Sequence, residues 1–155
     1  MTERENALLA IHHQEPLWVP ALFDCAFVCD DVINSRPLFQ EGYDCFGVHW
    51  VPSGPETNYI THVDPNVPPV LEDVTQWREK VKFPDLDQFD WEGAAAAITP
   101  EIRNEKLIYY IMGLGLLERT TTLMRFEDAL CAYLEEPEDM YDLCSALADH
   151  KIDLV

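Results

Sequence analysis

Glu118 and Arg119 stand just past the apolar run Leu107 to Met112 and are reached through Gly113-Leu114-Gly115. A carboxylate there can serve as an acid, a base or a hydrogen-bond acceptor, and a guanidinium can bind a carboxylate or pair with an acid. Gly113 and Gly115 let the backbone turn and let a ligand come close. Read as architecture alone, the same residues are an exposed ion pair followed by three threonines, Thr120 to Thr122, that cap the next helix. Asp24, within "VPALFDCAFV", is a second candidate, whose architectural alternative is an N-cap for a turn at Ala26. His49 and Trp50 form a third group in "GVHWV". Such an aromatic-rich arm would cover a mouth or make a dimer contact, or else close a satellite core under a long excursion. Cys25 and Cys29 are four apart with no CxxC or HxxxH partner, so they read as structural thiols, and no metal ligand is assigned.

The elements that must position these residues follow from the chain order. Thr2 and Glu5 form a capping box for a short helix with Ala7, Leu8 and Ile11 on one face, ended by Glu15-Pro16. Pro20 begins a strand whose buried part is Ala21 to Phe23, with Asp24 at its carboxyl end. "CFGVHWV" and "NYITHV" alternate with the strand period, and turn formers lie between them, which predicts a hairpin over about 43–63. Phe46, Val48 and Trp50 share one face of it; Gly47, His49 and Val51 share the other. Asp73 with Gln76 starts a short helix through Trp77 and Val81, and "EGAAAA" and "TPEIRNE" are helical pieces. Lys106 to Met112 is the clearest parallel-type strand, a buried run rich in Ile and Tyr. Two helices follow, Arg125 to Glu135 and Pro137 to Val155. Two strands separated by helical crossovers predict the α/β class with parallel pairing. A parallel pair alone leaves its edges and faces uncovered, so the pattern reads as the opening of something longer.

A length of 155 residues suits one domain, and 48% hydrophobic with 25% charged residues is a globular composition. A net charge of −19 opposes a nucleic-acid or anionic-membrane surface, since phosphate binding needs dense positive charge. No signal-peptide pattern follows the charged Thr2 to Glu5, and no apolar run approaches a membrane span. Five cysteines, an odd number in apolar contexts, fit reduced thiols and a cytoplasmic location.

Several segments together resemble the uroporphyrinogen decarboxylase family. "MTERENALLAIHHQEPLWVPAL" is similar to that family's first helix and first barrel strand. "GYDCFGVHWV" followed by "VLEDVTQWREKVKFPDLDQFDW" resembles a segment of its methyltransferase-like branch, and "FEDALCAYLEEPEDMYDLCSALADHKIDL" resembles the helices after the second barrel strand. The resemblance implies the N-terminal portion of a (β/α)8 TIM barrel, with the hairpin as an excursion after the first strand. Such a barrel takes about 250 residues, so residues 1–155 would be a partial barrel domain, a fragment or one completed by a partner.

The true decarboxylases carry an arginine-rich segment after the first strand that binds substrate carboxylates. Here "PALFDCAFVCDD" has no arginine, and Asp24, Asp30 and Asp31 would repel a polycarboxylate. The resemblance therefore points to the methyltransferase branch, which moves a methyl group between a small methylated substrate, such as an aryl methyl ether, and a corrinoid carried on a partner protein. Zinc in that branch is held by the second half of the barrel, so no zinc or corrinoid is expected on this chain alone, and no turnover by it alone. A uroporphyrinogen-type decarboxylase and a non-catalytic half-barrel that self-associates are the rival expectations. Barrel sites lie at the carboxyl ends of strands. That rule makes Glu118 and Asp24 the candidate catalytic groups, and Phe23, Met112, Gly113, Arg119, His49 and Trp50 the candidate substrate contacts.

Overall fold

The computed structural model describes residues 1–29, 31–57 and 60–154. Asp30 of the expected acidic cluster, Asn58-Tyr59 of the expected second hairpin arm and Val155 lie outside the described residues. In chain order the elements begin with α1 (Glu3–Ile11), α2 (Leu22–Cys25), β1 (Ala26–Val28), β2 (Gly42–Tyr43), β3 (His49–Pro52) and β4 (Thr61–Val63). Then come α3 (Trp77–Lys80), α4 (Trp91–Ala96), α5 (Pro100–Glu105) and β5 (Leu107–Tyr109). Three helices end the chain, α6 (Leu116–Met124), α7 (Phe126–Glu135) and α8 (Pro137–Asp153). The chain is thus mixed helix and sheet, and no described helix is long and apolar enough to cross a membrane. It divides into two units, Met1–Val32 with Phe89–Ile111, and Ile33–Gln88 with Met112–Val155.

In the first unit the capping box forms as the sequence demands: Thr2 Oγ1 accepts the Glu5 amide at 3.1 Å, and Glu5 Oε2 accepts the Thr2 amide at 2.8 Å. The buried face of α1 is Asn6-Ala7, while Ile11 is exposed. Asn6 closes the following loop by accepting from the Leu17 amide and donating to the Trp18 carbonyl. β1 and β5 pair in parallel, with Ala26 opposite Leu107, Phe27 opposite Ile108 and Val28 opposite Tyr109.

Two strand expectations need correction. Leu22–Cys25 is a helical turn, closed by the Asp24 and Cys25 amides on the Ala21 carbonyl, and the strand begins only at Ala26. A continuous apolar run carries no period, so helix and strand are indistinguishable within it. Val28 is β-branched and suits the pleat, whereas Leu22–Cys25 contains no β-branched residue. The second strand is Leu107–Tyr109, shorter than expected, and it is not buried: Ile108, Tyr109, Tyr110 and Ile111 are all exposed.

In the second unit β2, β3 and β4 form an antiparallel sheet, Gly42 opposite Trp50 and Trp50 opposite Val63. The sheet is therefore three-stranded; Cys45-Phe46 form a turn, closed by the Gly47 amide on the Asp44 carbonyl, and the strand begins only at His49. Phe46, Val48 and Trp50 nevertheless share one buried cluster with Leu71 and Val74, Leu123 of α6, Ala129 of α7, and Met140, Leu143 and Leu147 of α8. The cap at Asp73 forms on the Thr75 amide, and α3 ends at Lys80. Helix α6 is unanticipated in the sequence; its three threonines lie inside it, not at a cap. Each hydroxyl donates to the carbonyl three residues back, Thr120 to Leu117, Thr121 to Glu118 and Thr122 to Arg119.

Candidate functional site

Arg119 sits on the inner face of α6 with 3% of its surface exposed. Its Nη1 donates to Asp44 Oδ2 at 2.6 Å, its Nη2 donates to the Ser35 carbonyl at 2.9 Å, and its guanidinium lies 4.4 Å from the centre of the Phe46 ring. The Asp44 carboxyl is buried with donors on both of its oxygens. Its Oδ1 accepts the Phe46 and Val48 amides at 2.9 and 3.0 Å, and its Oδ2 accepts the Trp50 indole N–H at 3.1 Å. An aspartate that bonds the amide two residues on is a turn former, and here it also fixes the start of β3. The expected exposed Glu118-Arg119 pair is therefore not formed, because the guanidinium is held by Asp44. Trp50, 3% exposed, is likewise part of the core, with Arg36 over its ring.

Glu118 faces outward, and its Oε2 accepts the Gly115 amide at 2.6 Å. It closes the first turn of α6, where a negative charge also meets the positive end of the helix. Gly113 is required by a close approach: a Cβ built there would lie 2.8 Å from Ser35 Oγ. Its carbonyl accepts from Lys151 Nζ of α8 at 3.0 Å. The closely approaching group at Gly113 is thus the chain's own Ser35. Met112 is exposed beside it.

His49 on β3 is half-buried between two carboxylates. Nδ1 is 3.0 Å from Asp64 Oδ2, and Nε2 is 3.4 Å from Glu41 Oε1. Its ring lies 4.6 Å from that of Tyr43. The Asn66 backbone N–H, above all, holds the Asp64 carboxyl below its ordinary range; His49 acts in the same direction, against burial. An imidazole oriented by a carboxylate is the arrangement a general base uses. Asp64 is in turn anchored by its backbone: its carbonyl accepts from Arg125 Nη1 at 3.0 Å, and Arg125 Nη2 donates to the Val67 carbonyl.

Phe23 and Asp24 belong to the first unit, and the other six candidates to the second. Both precede β1 rather than follow it, at its amino end, and Phe23 is 82% exposed. Within the second unit Arg119 and Trp50 converge on Asp44, and His49 joins Asp64. Asp44 and Asp64 were not singled out in the sequence. Their signal was local, since Asp44-Cys45-Phe46-Gly47 and Asp64-Pro65-Asn66 are both turn sequences. All five cysteines are free thiols. Among the described residues no group of three or more His, Cys, Asp or Glu side chains is placed to hold a metal ion. No family model, curated protein or solved structure matches the chain.

Proposed function

We propose that the chain is part of a barrel enzyme of the uroporphyrinogen decarboxylase family that moves a methyl group from a small methylated molecule, such as an aryl methyl ether, to a corrinoid protein. The observation that carries the choice of methyl transfer over decarboxylation is the engagement of Arg36, Arg119 and Arg125, the arginines nearest the expected site. Arg36 donates to the hydroxyl and carbonyl oxygens of Thr61, Arg119 to Asp44 and the Ser35 carbonyl, and Arg125 to the Asp64 and Val67 carbonyls. A polycarboxylate needs cations to offset its charge, and these three already serve the chain's own acceptors. A neutral ether makes no such demand.

The corrinoid, carried by its own protein, would supply the nucleophile that takes the methyl carbon. The ether C–O bond would break, and the oxygen would leave as a phenol after taking a proton. Glu118, exposed, and His49, held by Asp64, are the groups of this chain suited to moving that proton. The zinc that the family resemblance implies has no fitting donor set among the described residues, and no part is assigned to it here.

Product analysis tests the reading. The chain, within whatever reading frame carries it, is incubated with a corrinoid protein and a panel of aryl methyl ethers. Formation of the phenols supports methyl transfer. Release of carbon dioxide from a porphyrinogen, with no phenol from any ether, overturns it.

A further inference from the structure

Phe27 and Cys29 point to one face of β1, and Ile108 and Tyr110 to the same face of β5, because Phe27 pairs with Ile108 and side chains alternate along a strand. The Cys29 amide extends the ladder onto the Tyr109 carbonyl. Across from this face stands α4, which contributes Trp91, Ala94 and Ala95, with Ala97 and Ile98 just past it. The three alanine methyls leave space between helix and sheet unfilled, and a pocket of about 200 Å³ remains. An apolar cavity of about 150 Å³ accepts a benzene ring, whereas drug-sized ligands occupy roughly 300–1,000 Å³. The volume therefore fits one ring with one or two small substituents.

Three of the lining residues carry polar side-chain atoms, Tyr110 a hydroxyl, Cys29 a thiol and Trp91 an indole N–H. Partial burial first, and the charge of Asp31 after it, push the Tyr110 phenol upward, so it is a donor at neutral pH. The Asp31 carboxylate opposes a carboxylate ligand. We infer that this pocket is a binding site for a small uncharged aromatic molecule with one acceptor oxygen, the ring lying against Phe27 and the alanines and the oxygen accepting from Tyr110. The inference stands on the pocket alone and does not rest on methyl transfer.

Alkylation of Cys29 by iodoacetamide, followed by mass spectrometry, reads occupancy directly, with exposed Cys131 as the internal control. The probe is acetophenone, which has no ether methyl to transfer, so its binding and the methyl-transfer reading can fail separately. At ten times its dissociation constant acetophenone should slow Cys29 labelling about tenfold and leave Cys131 unchanged. Tyr110→Phe should weaken acetophenone about three- to tenfold and leave ethylbenzene, which lacks the acceptor, unaffected. Ala94→Leu, with an unchanged circular dichroism spectrum, should abolish protection, and benzoate should give none. Three results would overturn the inference: no protection by acetophenone, protection that survives Ala94→Leu, or protection that follows protein concentration without ligand. The last would assign the pocket to a second copy of the chain.

Discussion

Arg119→Met removes a guanidinium from the core of the second unit and leaves the Asp44 carboxylate buried without its cation. Asp44 keeps three N–H donors, from Phe46, Val48 and Trp50, but no formal charge faces it at 2.6 Å any longer. Breaking a buried pair by removing one partner costs about 3–5 kcal/mol. The contact of the guanidinium with the Phe46 ring adds about 0.5–2 kcal/mol, partly offset by the packing of the methionine. Against a domain stability of roughly 5–15 kcal/mol, a net loss near 4 kcal/mol is large. With a urea slope of about 2 kcal/mol per molar, it moves the midpoint down by about 2 M. The assay is urea unfolding at pH 7 in a Trp18→Phe, Trp91→Phe background, followed by the fluorescence of the remaining Trp50 and Trp77. The double variant Asp44→Asn, Arg119→Met should lose less than the two single losses summed, with a coupling of at least about 2 kcal/mol. A loss below about 1 kcal/mol for Arg119→Met, or additive losses in the double variant, would refute the reasoning.

Two further perturbations bear on the same unit. His150 of α8 lies edge-on to Phe46 and Phe83, and its Nε2 is buried with no hydrogen-bond partner among the described residues. Burial holds its pKa below the ordinary value. The unfolded chain therefore takes up the proton first, and stability should fall as pH drops through about 6.5 and onward to the folded pKa. His150→Gln should flatten that slope between pH 5 and 7 in thermal melts, and an unchanged slope would place its cause elsewhere. Gly113→Ala should cost about 1–3 kcal/mol by overpacking against Ser35 Oγ. Ser35→Ala on that background should recover part of the loss in the same urea experiment, and no recovery would contradict the close approach.

The parts of the fold that were legible in the sequence are those set by neighbours a few residues apart. Thr2 with Glu5 caps where the local chemistry requires, and Asp73 starts its turn as expected, though on the Thr75 amide and not with Gln76. The strand pairing of β1 with β5 also followed from the order of apolar runs and helices. The limits of β1 did not, because Val19 to Val28 is apolar almost throughout and carries no period to separate a turn of helix from a strand. Helix α6 was hidden by its composition. Three β-branched threonines after two glycines read as loop, yet Leu123 and Met124 are buried and the hydroxyls bond back into the helix. Arg119 read as a surface charge because its partner Asp44 is 75 positions away. Pairings at that distance leave no mark on local pattern, and the role of Arg119 follows from the packing of the whole unit.

The most direct test of methyl transfer is a single incubation with two labels. An aryl ether labelled in its methyl carbon and a porphyrinogen labelled in its carboxyl groups are offered together, with a corrinoid protein, to the chain within its reading frame. Methyl label on the corrinoid protein in step with released phenol, and no labelled carbon dioxide, is the predicted result. Labelled carbon dioxide with the ether intact would contradict the account.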